Sequence, residues 1–591
     1  MFIFDNQSEF FRCPQGGIKV NQEIELKIYI SKGLLIPSIK IEKRNDYDKI
    51  FYKEAPMEWI GTEKSYDLYK GTFSIKDYGQ YYYTFILDEG NSSKPYELLI
   101  FKENYKTPDW IKGGIIYHIF VDRFYKNKIL NKDIDIIIRN DWDGTPNYLP
   151  DKDGEIRNND FFGGNLEGIK EKLPYLSMLG VTALYLSPIF KAYSNHKYDV
   201  GDYFSVDPMF GDEGSFIELC KNAENFGMSV ILDGVFSHTG ADSIYFNKYA
   251  NYNSLGAYQS TNSPYFTWYL FNKWNDDYSS WWGINTLPTI NKNSEDYINF
   301  ITGENGVLKY WQKKGVRGWR LDVADELPNK FIENLRTSVK EQDNEAFIVG
   351  EVWEDASNKF SYGKLKEYFC GNQLDSVTNY PLGNAIIDYV KNKDCYLIHT
   401  TMNFIVEKYP PQTINCLMNI LGTHDTARIL TVLGSSDAPH TKEEKAVYKL
   451  NPKELKKGIN LLKIASLLQF TLPGVPCIYY GDEAGVEGFE DPFNRSCFPW
   501  GNENKELLNH YKFLSELRKN KLFAEGIYKC LLHDGGVYAF ERCDDGDKII
   551  VAVNMSENTV TLNLKDTMKD YLSNKIDNNF ILSSEKYLVL L

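Results

Sequence analysis

At 591 residues the chain exceeds what a single hydrophobic core fills, so several domains are expected. A formal charge of −15, with no basic run interleaved with aromatics, argues against nucleic acid as a partner because the phosphate backbone is repelled. There is no apolar stretch of about 18 residues, Met1-Phe2-Ile3-Phe4-Asp5-Asn6 lacks the basic start and apolar run of a signal peptide, and the nine cysteines include no C-x-x-C pair; the expectation is a cytoplasmic protein with free thiols and no membrane contact.

Residues 1–106 read as short alternating strands, as in Ile24-Glu25-Leu26-Lys27-Ile28-Tyr29-Ile30, Tyr69-Lys70-Gly71-Thr72-Phe73-Ser74-Ile75 and Tyr78-Gly79-Gln80-Tyr81-Tyr82-Tyr83-Thr84-Phe85. Without any helical period, this predicts an antiparallel β-sandwich. Thr107-Pro108-Asp109-Trp110 reads as a linker.

Over residues 110–510 the pattern changes to apolar runs of strand length alternating with helical stretches. Strands are expected at Ile115–Phe120, Ala183–Leu186, Ser229–Val235, Gly318–Val323, Phe347–Val352, Leu374–Val377, Ile414–Leu421 and Val475–Tyr480. Eight such strands predict a closed (β/α)8 barrel with its site at the carboxyl ends of the strands. Helices are expected over Leu166–Leu179 and Phe216–Phe226, stopped by Gly180 and Gly227, from Pro328 through Lys340, and over Lys505–Lys519. The segment at about 239–299 has little periodicity and holds Trp268, Trp274, Trp281 and Trp282; a connection that long reads as a lobe walling a cleft. Residues 520–591 alternate again, as in Ile549-Ile550-Val551-Ala552-Val553, which predicts a C-terminal antiparallel β-domain.

The barrel is read around Gly318-Trp319-Arg320-Leu321-Asp322. Arg320 and Asp322 are two apart, so on a strand both side chains take one face. Alone, Arg-x-Asp is open to three readings: structural ion pair, metal ligand or nucleophile. Two more carboxylates end strand-like runs, Glu351 after Phe347-Ile348-Val349-Gly350 and Asp425 after Leu421-Gly422-Thr423-His424. Three carboxylates on one rim match the needs of glycoside hydrolysis, which takes a nucleophile or base, an acid, and support for a cationic transition state.

On these residues the chain resembles the α-amylase family of glycoside hydrolases. Asp233-Gly234-Val235-Phe236-Ser237-His238, Gly318-Trp319-Arg320-Leu321-Asp322, Gly350-Glu351-Val352-Trp353 and Leu421-Gly422-Thr423-His424-Asp425 are similar to its four signatures in order. Gly180–Pro188 and Gly474–Glu483 resemble its flanking ones. The resemblance implies Asp322 as nucleophile, Glu351 as acid then base, and Asp425 as the holder of sugar hydroxyls. It implies Asp233, Arg320, His238 and His424 around the cleaved unit, with the two histidines donating to its hydroxyls, and Tyr198 stacked beneath it. Trp353 is implied on the leaving-group side, and Asp491 and Arg495 at the next sugar. Arg320 is expected to keep Asp322 ionised, and Glu351, followed by Val352 and Trp353, to lie in a drier place.

The front sandwich and Leu287-Pro288-Thr289-Ile290-Asn291 look most like the neopullulanase, cyclomaltodextrinase, maltogenic amylase and amylopullulanase group, which more typically has Met-Pro-Lys-Leu-Asn there. The implied function is a retaining α-glucan hydrolase acting on α-1,4 bonds, with α-1,6 bonds within the group's range, in starch-derived oligosaccharides, pullulan or cyclodextrins. A transglycosylase or isomerase on the same scaffold and a non-catalytic sugar-binding barrel are the alternatives. The sandwich can bind glucan, pack on the barrel or join two copies in a homodimer. No cofactor is expected to be required. Calcium's usual ligands in the family are poorly matched: Ser237 replaces an Asn, Gly163-Gly164-Asn165 ends in an amide where relatives have Asp, and Tyr125-Lys126-Asn127-Lys128 does not reproduce an Asn-Gly-Asp run. The acidic stretch Asp151-Lys152-Asp153-Gly154-Glu155 reads as a solvated turn.

Overall fold

A computed structural model of the chain describes residues 2–33, 36–88, 91–127, 136–152, 154–437 and 439–591. Lys128 and Asp153, from the calcium and acidic-turn readings, lie outside the described residues.

Period-two burial builds the front module. Ile24–Ser31 alternates strictly between buried and half-buried positions, so Ile24, Leu26, Ile28 and Ile30 face inward from one sheet. They meet Ile39, Ile41, Tyr81, Tyr83 and Phe85 from a second sheet, and the two inner faces form one apolar core. The module is tied to the barrel by buried polar anchors: Arg12 donates to the Glu407 carbonyl, and the Tyr105 hydroxyl donates to the Leu374 carbonyl at 2.9 Å.

Eight parallel strands follow: β1 (Ile116–Ile119), β2 (Ala183–Leu186), β3 (Ser229–Gly234), β4 (Val316–Leu321), β5 (Phe347–Gly350), β6 (Ser376–Val377), β7 (Met418–Ile420) and β8 (Val475–Tyr479). They pair in the order β6-β5-β4-β3-β2-β1-β8-β7. A parallel bridge from Thr378, just past β6, to Met418 of β7 closes the ring. Every residue of β1, β2, β5, β7 and β8 is buried, as expected of strands covered on both faces. The surrounding helices start where the side chains allow: Asn165 caps Leu166–Met178 and Asp212 caps Glu213–Asn225 through a capping box with Ser215.

Most strand ends fall within one or two residues of the pattern, and two of the departures have a local cause. The run taken as Ile414–Leu421 opens with a helical turn, Pro411–Ile414, because Pro411 favours a helix start and the apolar residues after it are core either way. The run taken as Gly318–Val323 is shifted back to Val316–Leu321. Val323 leaves the strand at φ +41°, the left-handed region that β-branched residues avoid.

The inserted lobe carries a small hairpin, Phe271–Lys273 with Asp277–Tyr278, and its aromatic core is built from Tyr245, Phe246, Trp268 and Tyr269. An antiparallel bridge from His238 to Thr289 fastens it to the end of β3. The C-terminal module is a four-stranded antiparallel sheet with a further hairpin, Val560–Lys569 and Ile576–Leu582. Arg542, fully buried, anchors it through the Gly526 and Thr471 carbonyls. Among the described residues no helix is long and apolar enough to cross a membrane.

Candidate active site

The register of the barrel sets the site. Asp233 of β3 lies level with Arg320 of β4, Arg320 with Val349 of β5, and Leu321 with Gly350, so Asp322 and Glu351 both follow immediately beyond their strand ends. Period two then puts Arg320 and Asp322 on one face, and one guanidinium nitrogen of Arg320 reaches Asp322 Oδ1 at 2.8 Å. The same nitrogen reaches both oxygens of Asp233, at 2.8 and 2.9 Å, and the other terminal nitrogen reaches Glu351 Oε2 at 2.8 Å.

One cation therefore serves three buried carboxylates. Burial pushes the Asp322 carboxyl well above its usual range, and the charges of Glu351, Asp233 and Asp425 add to that against the pull of Arg320. Arg320 pulls Asp322 toward its ionised form, as a charge shared with Asp233 and Glu351. Glu351, expected in a drier place, is buried to the same extent as Asp322, each at 6% exposure. What distinguishes Glu351 is its donors. Oε2 takes Arg320 and the backbone N–H of Val323 at 2.9 Å, while among the described residues Oε1 takes only the indole N–H of Trp353 at 3.0 Å.

Asp233 is buried behind this group, 1% exposed, and accepts the hydroxyls of Tyr185 at 2.7 Å and Tyr198 at 2.9 Å as well as Arg320. With both oxygens taken it orients Arg320 and Tyr198 instead of facing the cleft. The Tyr198 ring in turn stacks on His424 at 5.1 Å with 11° between planes, so the platform expected there is fixed at both ends.

Asp425 follows β7 and is the exposed carboxylate of the three. Desolvation by the surrounding protein raises its pKa, and Arg495 and Arg320 pull the other way. His424 Nε2 stands 3.2 Å from Asp425 Oδ2, Arg495 approaches Asp425 Oδ1 at 3.6 Å, and the same Arg495 pairs with Asp491 Oδ1 at 2.8 Å. The segment 491–495 thus reaches the rim and touches the third carboxylate.

Both histidines are neutral. Burial lowers His238 to about 4, and burial with Arg495 and Arg320 nearby lowers His424 well below the ordinary value. His238 Nε2 sits 3.0 Å from the Tyr198 carbonyl, which can only accept, so its proton points there and Nδ1 is left as an acceptor. In this geometry the His238 N–H is committed to a backbone carbonyl, while His424 Nδ1 is buried with no partner among the described residues. Trp353 stacks on Tyr380 at 4.0 Å and keeps 46% of its surface exposed beside Glu351.

Sequence reading missed several residues of the site. Tyr185 carries the second hydroxyl on Asp233. His118 of β1 stacks on Tyr185 at 4.2 Å and meets His424 at 5.3 Å. Glu326 gathers Trp281, Trp282 and Tyr362. The available signal for the first two was polarity inside otherwise apolar strands.

The calcium-site residues do not fit that ion. Asn165 Oδ1 accepts the Gly168 N–H at 2.8 Å and Nδ2 donates to Gly163, so this amide is a helix cap. Ser237 Oγ is buried with no partner among the described residues, but a lone hydroxyl lacks the carboxylates that calcium takes. Asp151 is turned onto its own loop, bonding the Glu155 N–H and pairing with Arg157.

Comparison with known proteins matches residues 118–521 to the alpha amylase catalytic domain. An amylopullulanase of Thermoanaerobacterium saccharolyticum is 36% identical over 91% of this chain and 46% of its own length. A cyclomaltodextrinase of Thermoanaerobacter pseudethanolicus is 30% identical over 94% of this chain and 93% of its own. Among solved structures, the type III pullulan hydrolase from Thermococcus kodakarensis superposes over 100% of both chains with a TM-score of 0.70 at 25% identity. The chain thus spans less than half the length of the amylopullulanase it matches.

Proposed function

We propose, from the premise that the chain belongs to the α-amylase family, that it is a retaining α-glucan hydrolase cleaving α-1,4 bonds by double displacement. The observation that carries this reading is the set of three carboxylates, Asp322, Glu351 and Asp425, past the ends of β4, β5 and β7, with the first two on one guanidinium. Relatives named for pullulan, amylose-type glucan or cyclomaltodextrin support the substrate class.

Asp322 is the nucleophile in this account and Glu351 the acid, then the base. One ionised and one protonated carboxyl is the state from which a retaining hydrolase starts. Glu351 Oε1, which among the described residues accepts only from Trp353, is the oxygen that serves the leaving group. Asp425 accepts sugar hydroxyls, and Tyr198 lies under the ring. Attack by Asp322 releases the leaving sugar protonated by Glu351, and water activated by Glu351 then hydrolyses the glycosyl ester.

Chromatography of the products from pullulan tests the reading. Panose from the wild type and a rate about 10³-fold lower for Glu351→Gln are expected; maltotriose would move the activity to α-1,6 bonds. Absence of product from pullulan, starch and cyclodextrin together would sink it.

No cofactor enters this mechanism, and calcium is not required in it. Nine cysteines without a disulfide support a cytoplasmic location, checked by cell fractionation. Exposed Ile50, Phe51 and Trp59 on the sandwich support pairing of two copies, which a light-scattering mass of a single chain would contradict.

A further inference from the structure

Beyond the three carboxylates, the rim carries an aromatic wall that the mechanism does not use. Glu326 lies four residues past Asp322 and is 8% exposed. Its Oε1 accepts the indole N–H of Trp281 at 3.1 Å, that of Trp282 at 3.2 Å and the hydroxyl of Tyr362 at 3.1 Å, and Lys292 stands 3.6 Å from Oε2. Trp281 and Trp282 stack at 4.9 Å with 15° between planes, and Trp281 packs against His238 at 5.0 Å. The wall is thus continuous with the catalytic cleft. Yet Trp282 is 75% exposed and Tyr362 68% exposed. Large rings left in water but pinned by a buried carboxylate are rigid and apolar, the surface a sugar face stacks on.

Tyr362 is presented by a hairpin, Phe360–Ser361 with Lys364–Leu365, whose turn residues Tyr362 and Gly363 sit at φ +50° and +76°. The front module holds this hairpin from the same chain. Asp46 pairs with Lys364 at 2.6 Å and accepts the Leu365 N–H at 2.9 Å. Tyr47 donates to the Gly363 carbonyl at 3.2 Å and meets the Phe360 ring at 5.9 Å.

We infer that Trp282 and Tyr362, clamped by Glu326, form a stacking subsite for glucose units beyond the cleaved pair, and that the Asp46–Tyr47 tip of the front module positions it within one chain. The inference rests on the α-glucan reading and makes the front module part of the substrate site. Asp46 and Tyr47 are positioning residues here, acting through the hairpin.

Steady-state kinetics on maltoheptaose and maltotriose test it. For Trp282→Ala, the ratio of kcat/KM for the longer over the shorter chain is expected to fall about tenfold, mainly through KM. Asp46→Ala is expected to lower the same ratio roughly threefold, and Asp46→Asn, which keeps an acceptor for Leu365, to restore most of it. An unchanged ratio in Trp282→Ala, with wild type active on both sugars, overturns the subsite. A fall in Trp282→Ala without one in Asp46→Ala, or an equal loss on both sugars in Asp46→Ala with a lowered Tm, overturns the positioning. A wild type inert on both sugars removes the α-glucan premise and this inference with it.

Discussion

Val323 donates its backbone N–H to Glu351 Oε2 at 2.9 Å from a left-handed conformation, φ +41° and ψ +58°. The turn also brings the Ala324 N–H to the Glu351 carbonyl at 3.2 Å, so both the side chain and the backbone of Glu351 are held from the end of β4. Such a conformation costs a β-branched residue about 1–2 kcal/mol and persists where the surroundings enforce it.

This predicts an inverted ranking at position 323. Glycine relieves the strain and keeps the N–H, at the expense of a half-buried side chain worth about 1 kcal/mol. Alanine loses the methyls and keeps the strain. Thermal melts are therefore expected to place Val323→Gly within about 3 °C of wild type and above Val323→Ala. The ordinary order, Ala above Gly, would mean that the left-handed turn is absent.

A second prediction concerns pH. Glu483, four residues past the barrel's last strand, is fully buried, accepting Tyr117 at 2.6 Å, Tyr175 at 2.9 Å and the Gly481 N–H at 3.0 Å, and burial raises its pKa to about 7. The folded state then binds more protons than the unfolded one between about pH 4.5 and 7. Stability from this group is full below that window and lost as pH rises through it, by roughly 3 kcal/mol. Glu483→Gln keeps the acceptor for both tyrosines and cannot ionise. Its Tm relative to wild type is expected to be higher at pH 8 than at pH 5; an equal difference at both would show that Glu483 does not titrate in the folded protein.

Much of this was legible in the sequence because barrel strands are buried on both faces and their polar ends stand out. Asp322, Glu351 and Asp425 each follow an apolar run, and the ordered signatures named the family. What was not legible depends on three-dimensional sharing. Nothing in Arg320-Leu321-Asp322 reveals that Arg320 also serves Asp233 and Glu351. The direction of the His238 proton is set by a carbonyl 40 residues away in sequence. Val323 reads as a strand residue by propensity, and the tertiary turn overrides it. Glu326 reads as one more acidic surface residue until the lobe and the hairpin bring three rings to it.

Removal of divalent ions is expected to change neither activity nor Tm. Asn165 is committed to capping Leu166–Met178, so no carboxylate cage is lost on dialysis against chelator. A Tm drop of several degrees, reversed by added calcium, would contradict this.

The most direct measurement is mass spectrometry of the protein after reaction with a fluorinated maltosyl fluoride, which slows release of the glycosyl ester. The account predicts one added maltosyl unit, located by peptide mapping on Asp322, and no label in Asp322→Asn. A label on another carboxylate, or steady turnover by Asp322→Asn, would contradict double displacement through Asp322.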